Sequence, residues 1–472
     1  MTVVPLMPND SVAKIFRHRV QEMGPQVAMR QKVRGLWKPV SWARYGARAR
    51  GLGLGLAAQG LGRQDRVVIM ARPGPAWVMA EMAILAMGGI AVPVDLERQT
   101  QESVHILRDC GASFCFVENW EVAAQIHRHR QAVPALKKII VMNPRTTLPT
   151  RDPMVISLRD VFTAASDAGT ASTTLWDTAI DATLAEDVAL LIYAPGESAP
   201  SGGAMITHDN LVFQMMAAQS IMPLDARDRV LGFLNPAHMT THLFDVFYHL
   251  VFAFTLYFPE SAPSVGRDRR QVRPTVYWAP ETHWESLRAE VRGVAGAASA
   301  LQRLAVRGAD ALGQKRVQRE MTGRAAPIWL KGIEAPFQAV VQRRVRGYLG
   351  LDQCRLAVAL AGSAESAAED VAAWAQVLGM DWVWALGQPQ TTGLAWLKAL
   401  KRRRPACDGP VPQTQTRLTP DGVLLVKGRH VCPGVWPVLD KNPREPGDWF
   451  TSGVRLGTLK SAPSVVARQK ER

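Results

Sequence analysis

The chain has 472 residues, of which 47% are hydrophobic and 7% aromatic, and it carries a formal net charge of +15. This length exceeds what one ordinary hydrophobic core supports, so we expect several packed subdomains. The composition excludes a disordered or collagen-like chain. Residues 1–10 lack the basic start and continuous apolar core of a secretory signal, which predicts a cytoplasmic protein.

The excess of positive charge predicts an anionic ligand or surface. Nucleotide phosphates, coenzyme A and peripheral contact with an anionic membrane all fit this charge. The densest basic run, residues 398–405, is not interleaved with aromatic residues and has no recognition motif beside it, so no nucleic-acid partner is expected. The five cysteines are scattered without Cys-x-x-Cys spacing, which predicts neither a disulfide framework nor a metal site.

Strand and helix signals alternate along the first half of the chain. Apolar runs at residues 65–71 and 137–143 predict strands, and the apolar stretch "PAWVMAEMAILAMGG" predicts a buried helix. "GLGLGLAA", residues 51–58, fits a loose dinucleotide-binding pattern, but a helical rather than a strand pattern precedes it, so we expect no nicotinamide or flavin site there. The small, polar residues from Ala164 to Thr178 predict a surface connection.

The second half repeats this alternation and then changes. The apolar run that begins at Phe244 is shorter than the roughly 20 residues of a membrane span and predicts a buried helix leading into a strand. After Arg404, short alternating strands follow turns. We therefore predict an α/β fold of two packed α/β subdomains with mostly parallel sheets, residues 1–178 and 179–405, plus a small antiparallel β subdomain with a tail, residues 406–472.

"LIYAPGESAPSGGAMITHDN", residues 191–210, runs from an apolar strand pattern through a loop rich in Gly, Ser and Pro into a helix pattern. Such a loop commonly cradles phosphate, because its backbone N–H groups and the helix N-terminus attract anions. This stretch, however, contains no Lys or Arg.

Together with "NPAHMTTH", "LAGSAES", "LGQPQTTG", "DGVLLVKGRHVCPG" and "DWFTSG", this loop resembles the adenylate-forming (AMP-binding) superfamily, most of all the long-chain fatty acyl-CoA ligases. The resemblance runs from about Val40 to Gly457 and covers only the N-terminal part of such enzymes. It implies ATP with Mg²⁺ and coenzyme A as ligands, and a fatty acid as substrate. The sequence shows no counterpart of the C-terminal lid domain, which we expect to be absent.

The resemblance also implies site residues. Seven positions match nucleotide-binding motifs: Gly196, Ser198, Gly203, Thr207, Gly362, Gly387 and Thr391. Three are candidates for an acyl pocket: His238, Phe247 and Trp278. Four depart from the family pattern, with Gly202 at a lysine position, Pro389 at a threonine, Gln390 at the glutamate that holds Mg²⁺ and Val454 at the aspartate that binds ribose. No catalytic residue is intact and no metal site is expected.

These departures predict a catalytically impaired member of the family, a pseudoenzyme retained to bind an acyl group, a nucleotide or a partner protein. An active acyl-activating enzyme whose C-terminal domain is supplied by another polypeptide is an alternative. A basic protein acting at a membrane surface or on nucleic acid is a further alternative, with less support because the charge is dispersed.

Overall fold

The computed structural model describes residues 6–7, 9–143, 152–167, 171–193, 202–296, 342–361, 371, 374–375, 378–399, 409–420, 422–437 and 449–455. Its largest sheet has eight strands, in the spatial order β19 (Val435–Trp436), β9 (Gly203–Thr207), β8 (Val188–Tyr193), β4 (Ile90–Pro93), β3 (Arg66–Met70), β5 (Phe114–Val117), β6 (Lys138–Val141) and β7 (Val155–Ser157). The strands from β8 to β7 pair in parallel, whereas β9 runs antiparallel to both of its neighbours.

Three smaller sheets complete the fold. A four-stranded sheet has the order β10 (Arg229–Leu231), β11 (Thr255–Phe258), β1 (Val27–Val33) and β2 (Leu36–Ser41). A five-stranded sheet has the order β12 (Val276–Pro280), β13 (Leu356–Ala361), β14 (Asp381–Leu386), β15 (Trp396–Ala399) and β16 (Gly409–Pro410). A small antiparallel sheet has the order β17 (Gln415–Leu418), β18 (Val423–Lys427) and β20 (Phe450–Arg455).

The α-helices in the described residues are α1 (Val12–Met23), α2 (Trp42–Ala58), α3 (Pro75–Ala86), α4 (Thr100–Asp109), α5 (Trp120–Arg128), α6 (Leu158–Asp167), α7 (Ala171–Ala182), α8 (His208–Ile221), α9 (Met239–Thr241), α10 (Tyr248–Phe252), α11 (Val265–Val272) and α12 (Glu281–Gly296). A π-helical turn, His242–Phe247, joins α9 to α10, and residues 342–349 are also helical. Short 3₁₀ turns are Arg130–Ala132, Ala262–Ser264 and Pro389–Thr391. None of these described helices has the length and apolar composition needed to cross a bilayer.

Helices cover both faces of the eight-stranded sheet. Along β3, Val67 and Ile69 belong to one core cluster, whereas Val68 and Met70 belong to another. The first cluster contains residues of α1, α2, α3 and α8, and the second contains residues of α4 and α5. Because both faces are buried, these strands read as continuous apolar runs. The prediction of a mixed α/β fold with mostly parallel sheets and a small antiparallel sheet is confirmed.

The first core cluster also reaches the five-stranded sheet. It includes Trp278 of β12 and Val358 of β13 together with residues of α3, α8 and α10, so the core is continuous from the eight-stranded sheet to the five-stranded sheet. Strands from both sides of the predicted boundary at residues 178 and 179 pair with each other, since β4 pairs with β8 and β1 with β11. The domain division itself stays a proposal.

The segment "GLGLGLAA" lies inside α2. A Cβ atom on Gly55 would lie 2.0 Å from the backbone oxygen of Val161, and one on Gly53 would lie 2.7 Å from the Trp176 ring. These glycines therefore let α6 and α7 approach α2 closely, a packing role that needs no dinucleotide.

The predicted surface connection from Ala164 to Thr178 is wrong. Most of it forms the end of α6 and the first part of α7. Small residues hide the helical pattern, although Ala is the best helix former. Trp176 and Ile180, four residues apart on one face of α7, are buried against the core and hold the helix there.

Candidate functional site

A cavity of about 330 Å³ lies at the carboxyl ends of the parallel strands of the five-stranded sheet. It is lined by the segment 234–241, which follows β10, by the turn 387–393, which follows β14, and by Pro280 and Leu360. The carboxyl ends of parallel strands are where α/β sheets commonly bind ligands. Among its described lining residues there is no Lys or Arg.

Three hydrogen bonds of Asn235 hold the backbone of the segment 234–241 in place. The Asn235 side chain donates from Nδ2 to Asp95 Oδ2 at 2.7 Å and accepts from the N–H of Ala237 at 2.9 Å. Its carbonyl oxygen accepts from the Thr241 hydroxyl at 2.7 Å. His238, the next residue after this turn, projects into the lining of the cavity.

The His238 side chain is exposed, and two nearby groups, Asp95 and His242, affect its protonation in opposite directions. Desolvation by the surrounding protein lowers the pKa of His238, the nearby His242 acts in the same direction, and Asp95 opposes both. At neutral pH the ring is therefore mainly neutral, and it can donate one hydrogen bond and accept another.

The turn 387–393 forms the opposite wall. A Cβ atom on Gly387 would lie 2.4 Å from the backbone oxygen of Gly393, so only glycine permits this close approach. The buried Gln214 side chain of α8 donates from Nε2 to the carbonyl oxygens of Thr391 at 3.0 Å and Leu394 at 2.6 Å. The turn is therefore supported from beneath by a helix.

Thr391, a candidate nucleotide-binding residue, stabilises this turn through its hydroxyl group. Its hydroxyl accepts from the N–H of Gln388 and donates to the carbonyl oxygen of the same residue, both at 3.0 Å, and its side chain is fully buried. The backbone oxygen of Gln390 accepts from the N–H of Cys432 at 2.9 Å. Of the residues singled out from the sequence, Gly387, Pro389 and His238 meet at the cavity.

The phosphate-loop residues are described only in part. Gly196 and Ser198 lie outside the described residues, as does Gly362, whereas Gly202 precedes β9 and Gly203 begins it. Gly202 has a φ of +108°, and a Cβ atom there would lie 2.2 Å from the backbone oxygen of Trp436. The strand β19 thus occupies the space that a lysine side chain at this position would enter.

Thr207 and His208 stabilise the start of α8. The Thr207 hydroxyl accepts from the N–H of Asn210 at 3.1 Å, while the Asn210 side chain accepts from the N–H of Thr207 at 2.9 Å, which forms a capping box. The Nδ1 atom of His208 accepts from the N–H of Val12 at 3.3 Å, and burial lowers the pKa of His208 to about 4. Both side chains have structural partners here.

The two aromatic candidates for an acyl pocket lie away from the cavity lining. Phe247 and Trp278 are buried in the first core cluster. Trp278 donates from Nε1 to Asp245 Oδ1 at 2.6 Å, and burial raises the pKa of Asp245 to about 7. Val454 lies in β20, and its side chain is outside the described atoms.

The residues present do not fit Mg²⁺ at the position that the family uses. Proteins usually hold Mg²⁺ through one or two carboxylates, and Gln390 offers a neutral amide, which is a poorer ligand. Within the part of the chain that the structure describes, no group of three or more His, Cys, Asp or Glu side chains is arranged to hold a metal ion.

Sequence reasoning gave no role to three residues that build the site: Asp95, Glu81 and His242. Asp95 holds Asn235, and Glu81 contacts His242, whose other ring nitrogen contacts the backbone of the cavity segment. A signal was present for Glu81, because it is a single charge within the otherwise apolar helix α3 and is fully buried. Buried charges of this kind require a partner.

Curated relatives of this chain are long-chain fatty acid CoA ligases. Ligase ACSBG2 of Xenopus laevis is 24% identical over 74% of this chain, and ligase FadD15 of Mycobacterium tuberculosis is 25% identical over 98% of it. The chain spans 47% of the length of the first and 75% of the second.

Solved structures with the same fold include two ligases. The anthranilate CoA ligase AuaEII in complex with anthranoyl-AMP has a TM-score of 0.65 and 15% identity, covering 96% of this chain and 76% of its own. The o-succinylbenzoate CoA synthetase of Bacillus subtilis in complex with OSB-AMP has a TM-score of 0.61 and 14% identity, covering 94% and 95%. The family model described as AMP-binding enzyme matches residues 16–436. The protein therefore belongs to the AMP-binding enzyme family.

Proposed function

We propose that the cavity beside His238 binds a fatty acyl group together with an adenine nucleotide, and that the protein forms acyl-adenylate poorly or not at all. The observation that carries the proposal is that the cavity joins the His238 segment to the Gly387–Pro389 turn. These are the segments that the family resemblance assigns to the acyl carboxylate and to the nucleotide. The fatty acid CoA ligases among the relatives support an acyl ligand.

The residues that line the cavity also suit a fatty acyl ligand. Leu234, Met239, Pro280 and Leu360 offer apolar surface, and His238 offers a donor for a carboxylate oxygen. A volume of about 330 Å³ lies at the lower end of the ordinary range for small-molecule pockets, roughly 300–1,000 Å³, so the described cavity accommodates the part of the ligand around the acyl carboxylate and not the whole acyl chain and nucleotide.

Weak adenylation follows from the charges. Adenylate formation gathers negative charge around the α-phosphorus and the departing pyrophosphate, and positive groups or Mg²⁺ must stabilise it. The described lining has no Lys or Arg, Gln390 does not fit the metal, and the backbone of β19 fills the space beside Gly202. Pro389 further lacks the hydroxyl and the N–H with which a threonine would contact phosphate.

The proposal is tested by separating binding from chemistry. Isothermal titration with palmitate, with AMP and with the non-hydrolysable analogue palmitoyl-sulfamoyl adenosine measures binding, and carboxylate-dependent ATP–pyrophosphate exchange measures adenylation. We expect the analogue to bind and exchange to be absent across fatty acids of different length. Robust exchange refutes impaired catalysis, and absence of binding by all three probes refutes the ligand class.

His238→Ala locates the site. Losing a hydrogen bond to a charged carboxylate costs about 1.5–3 kcal/mol, so palmitate should bind at least about tenfold more weakly. His18→Ala is the matched control, because His18 is an exposed histidine of α1 that does not line the cavity. An equal loss in both variants contradicts the assignment of His238.

The alternative is an enzyme whose C-terminal domain is supplied by a second polypeptide. To test it, a separately expressed C-terminal domain of a related ligase is added to the exchange assay. ATP–pyrophosphate exchange that appears only after this addition supports the alternative. Exchange activity could be restored in this way only if Mg²⁺ binds without the carboxylate that Gln390 replaces. We therefore expect no gain on addition.

A further inference from the structure

Glu81 and His242 form a buried pair directly behind the cavity segment. His242 begins the π-helical turn, Glu81 lies in the middle of α3, and their side chains are 1% and 0% exposed. The His242 Nδ1 atom lies 2.7 Å from Glu81 Oε1, and the Nε2 atom lies 2.6 Å from the carbonyl oxygen of Pro236. The edge of the ring packs against Trp77, with ring centroids 5.2 Å apart.

The hydrogen-bond partners of His242 show which of its ring nitrogens are bonded through a proton. A proline carbonyl can only accept, so His242 Nε2 carries a proton and donates it to Pro236. The short contact between Nδ1 and Oε1 then holds a second proton, bound either to the ring or to the carboxyl group. The pair thus forms a continuous chain of hydrogen bonds from α3 to the backbone of residue 236.

This chain is one of two anchors on the same short stretch. Asp95, just after β4, holds Asn235 from the other side through its 2.7 Å hydrogen bond. Residues 235 and 236 are thereby fixed from two elements of the eight-stranded sheet layer, and His238 follows two residues later. The helix α3 itself is apolar around its whole circumference, so it does not need the charge of Glu81 for its own burial.

From this geometry we infer that Glu81 and His242 set the position of the cavity segment 235–241, and that His242 is a positioning residue for ligand binding at His238. The inference rests on the proposed function for its ligand. The position of the segment can also be measured without a ligand, by amide hydrogen exchange.

One single variant, one double variant and one double control variant test this inference. Glu81→Gln keeps the chain of hydrogen bonds, because its amide donates to Nδ1 while Nε2 still donates to Pro236. Glu81→Leu with His242→Phe removes both polar groups together, a change that buried ion pairs often tolerate without loss of stability. The control is Lys32→Met with Asp268→Leu, which removes another buried pair, 2.6 Å apart, whose residues do not line the cavity. Asp268 also accepts from the Ser264 hydroxyl and the N–H of Glu260, so this control perturbs its own surroundings at least as much as the Glu81/His242 variant does.

The affinity for palmitoyl-sulfamoyl adenosine and the exchange rates of the 235–241 amides are measured for each protein. We expect Glu81→Gln and the Lys32/Asp268 control to stay within about twofold of the wild-type affinity, and the Glu81/His242 double variant to lose at least about tenfold. Its segment 235–241 should also exchange faster, by more than the exchange of amides elsewhere in the protein changes, because the Pro236 carbonyl loses its partner.

Wild-type affinity and wild-type exchange in a folded Glu81/His242 double variant overturn the inference. If that variant does not fold, His242→Asn decides, because its Nδ2 takes the place of Nδ1 and still bonds Glu81 while nothing reaches Pro236. The same loss is expected for it, and wild-type behaviour again overturns the inference. If the wild-type protein does not bind the analogue, the proposed function fails, while the exchange rates still decide the positioning.

Discussion

Replacing Gly202 by lysine, the residue that the family carries there, should destabilise the protein rather than restore a phosphate contact. A side chain at φ +108° is strained, which costs about 1–2 kcal/mol for a residue in the left-handed region. The Cβ atom would also lie 2.2 Å from the backbone oxygen of Trp436, so β19 must move away from β9. Losing about two backbone hydrogen bonds between these strands costs about 1 kcal/mol each. We expect a total of about 3–4 kcal/mol.

Gly35→Lys separates the two contributions. Gly35 has a φ of +78° at the turn between β1 and β2, and a Cβ atom there would meet nothing within 4 Å. Only the backbone strain applies, so the cost should be about 1–2 kcal/mol. Equilibrium urea unfolding, followed by far-ultraviolet circular dichroism, measures the free energy of unfolding of both variants and the wild type. One common value for the dependence of this free energy on urea concentration is used for all three proteins.

Equal costs for the two variants would refute the steric reasoning about β19. A Gly202→Lys protein that binds ATP more tightly than the wild type would refute the conclusion that this strand blocks the lysine position. Titration calorimetry with ATP, with and without Mg²⁺, checks the second outcome.

Three further predictions concern the supports of the site. Thr207→Ala removes the cap of α8 and should lower the free energy of unfolding by about 1 kcal/mol in urea titration, whereas Thr207→Ser should retain most of it. Gln214→Leu leaves the carbonyl oxygen of Leu394 without its Gln214 partner and removes one of the two hydrogen bonds that the Thr391 carbonyl accepts, which should cost about 1–3 kcal/mol and weaken binding of the adenylate analogue; wild-type stability would contradict the support of the turn. Burial lowers the pKa of His430 to about 4, so the unfolded chain binds this proton first and stability falls as the pH drops from about 6.5 towards 4. His430→Phe should therefore lose about 1–2 kcal/mol less than the wild type between pH 7 and 5, and an identical pH dependence would contradict this.

The elements with a strong local pattern could be predicted from the sequence. The apolar run at residues 65–71 gave β3, and the apolar stretch that follows it gave α3, because continuous burial on both faces leaves a continuous apolar signature. The helices of residues 158–182 were missed because their core contacts come from few large residues, such as Trp176, among many small ones.

The site could be predicted only where a motif carried it. His238 and Pro389 were found through the family pattern, and the cavity brings them together. The pairing of Glu81 with His242 joins residues 161 positions apart, and no local pattern encodes which strands and helices become neighbours. Likewise, the obstruction beside Gly202 depends on a strand that arrives from residues 435 and 436.

That late strand has a consequence for synthesis. Among the described strands, β19 is the partner that covers the outer edge of β9, and the chain between them must first leave the ribosome, which takes on the order of tens of seconds at about 5–20 residues per second. During this interval the nascent chain presents an open strand edge, the feature through which folding intermediates most readily associate. The order in which the strands are synthesised therefore sets how long this edge of the sheet is open to association with other chains.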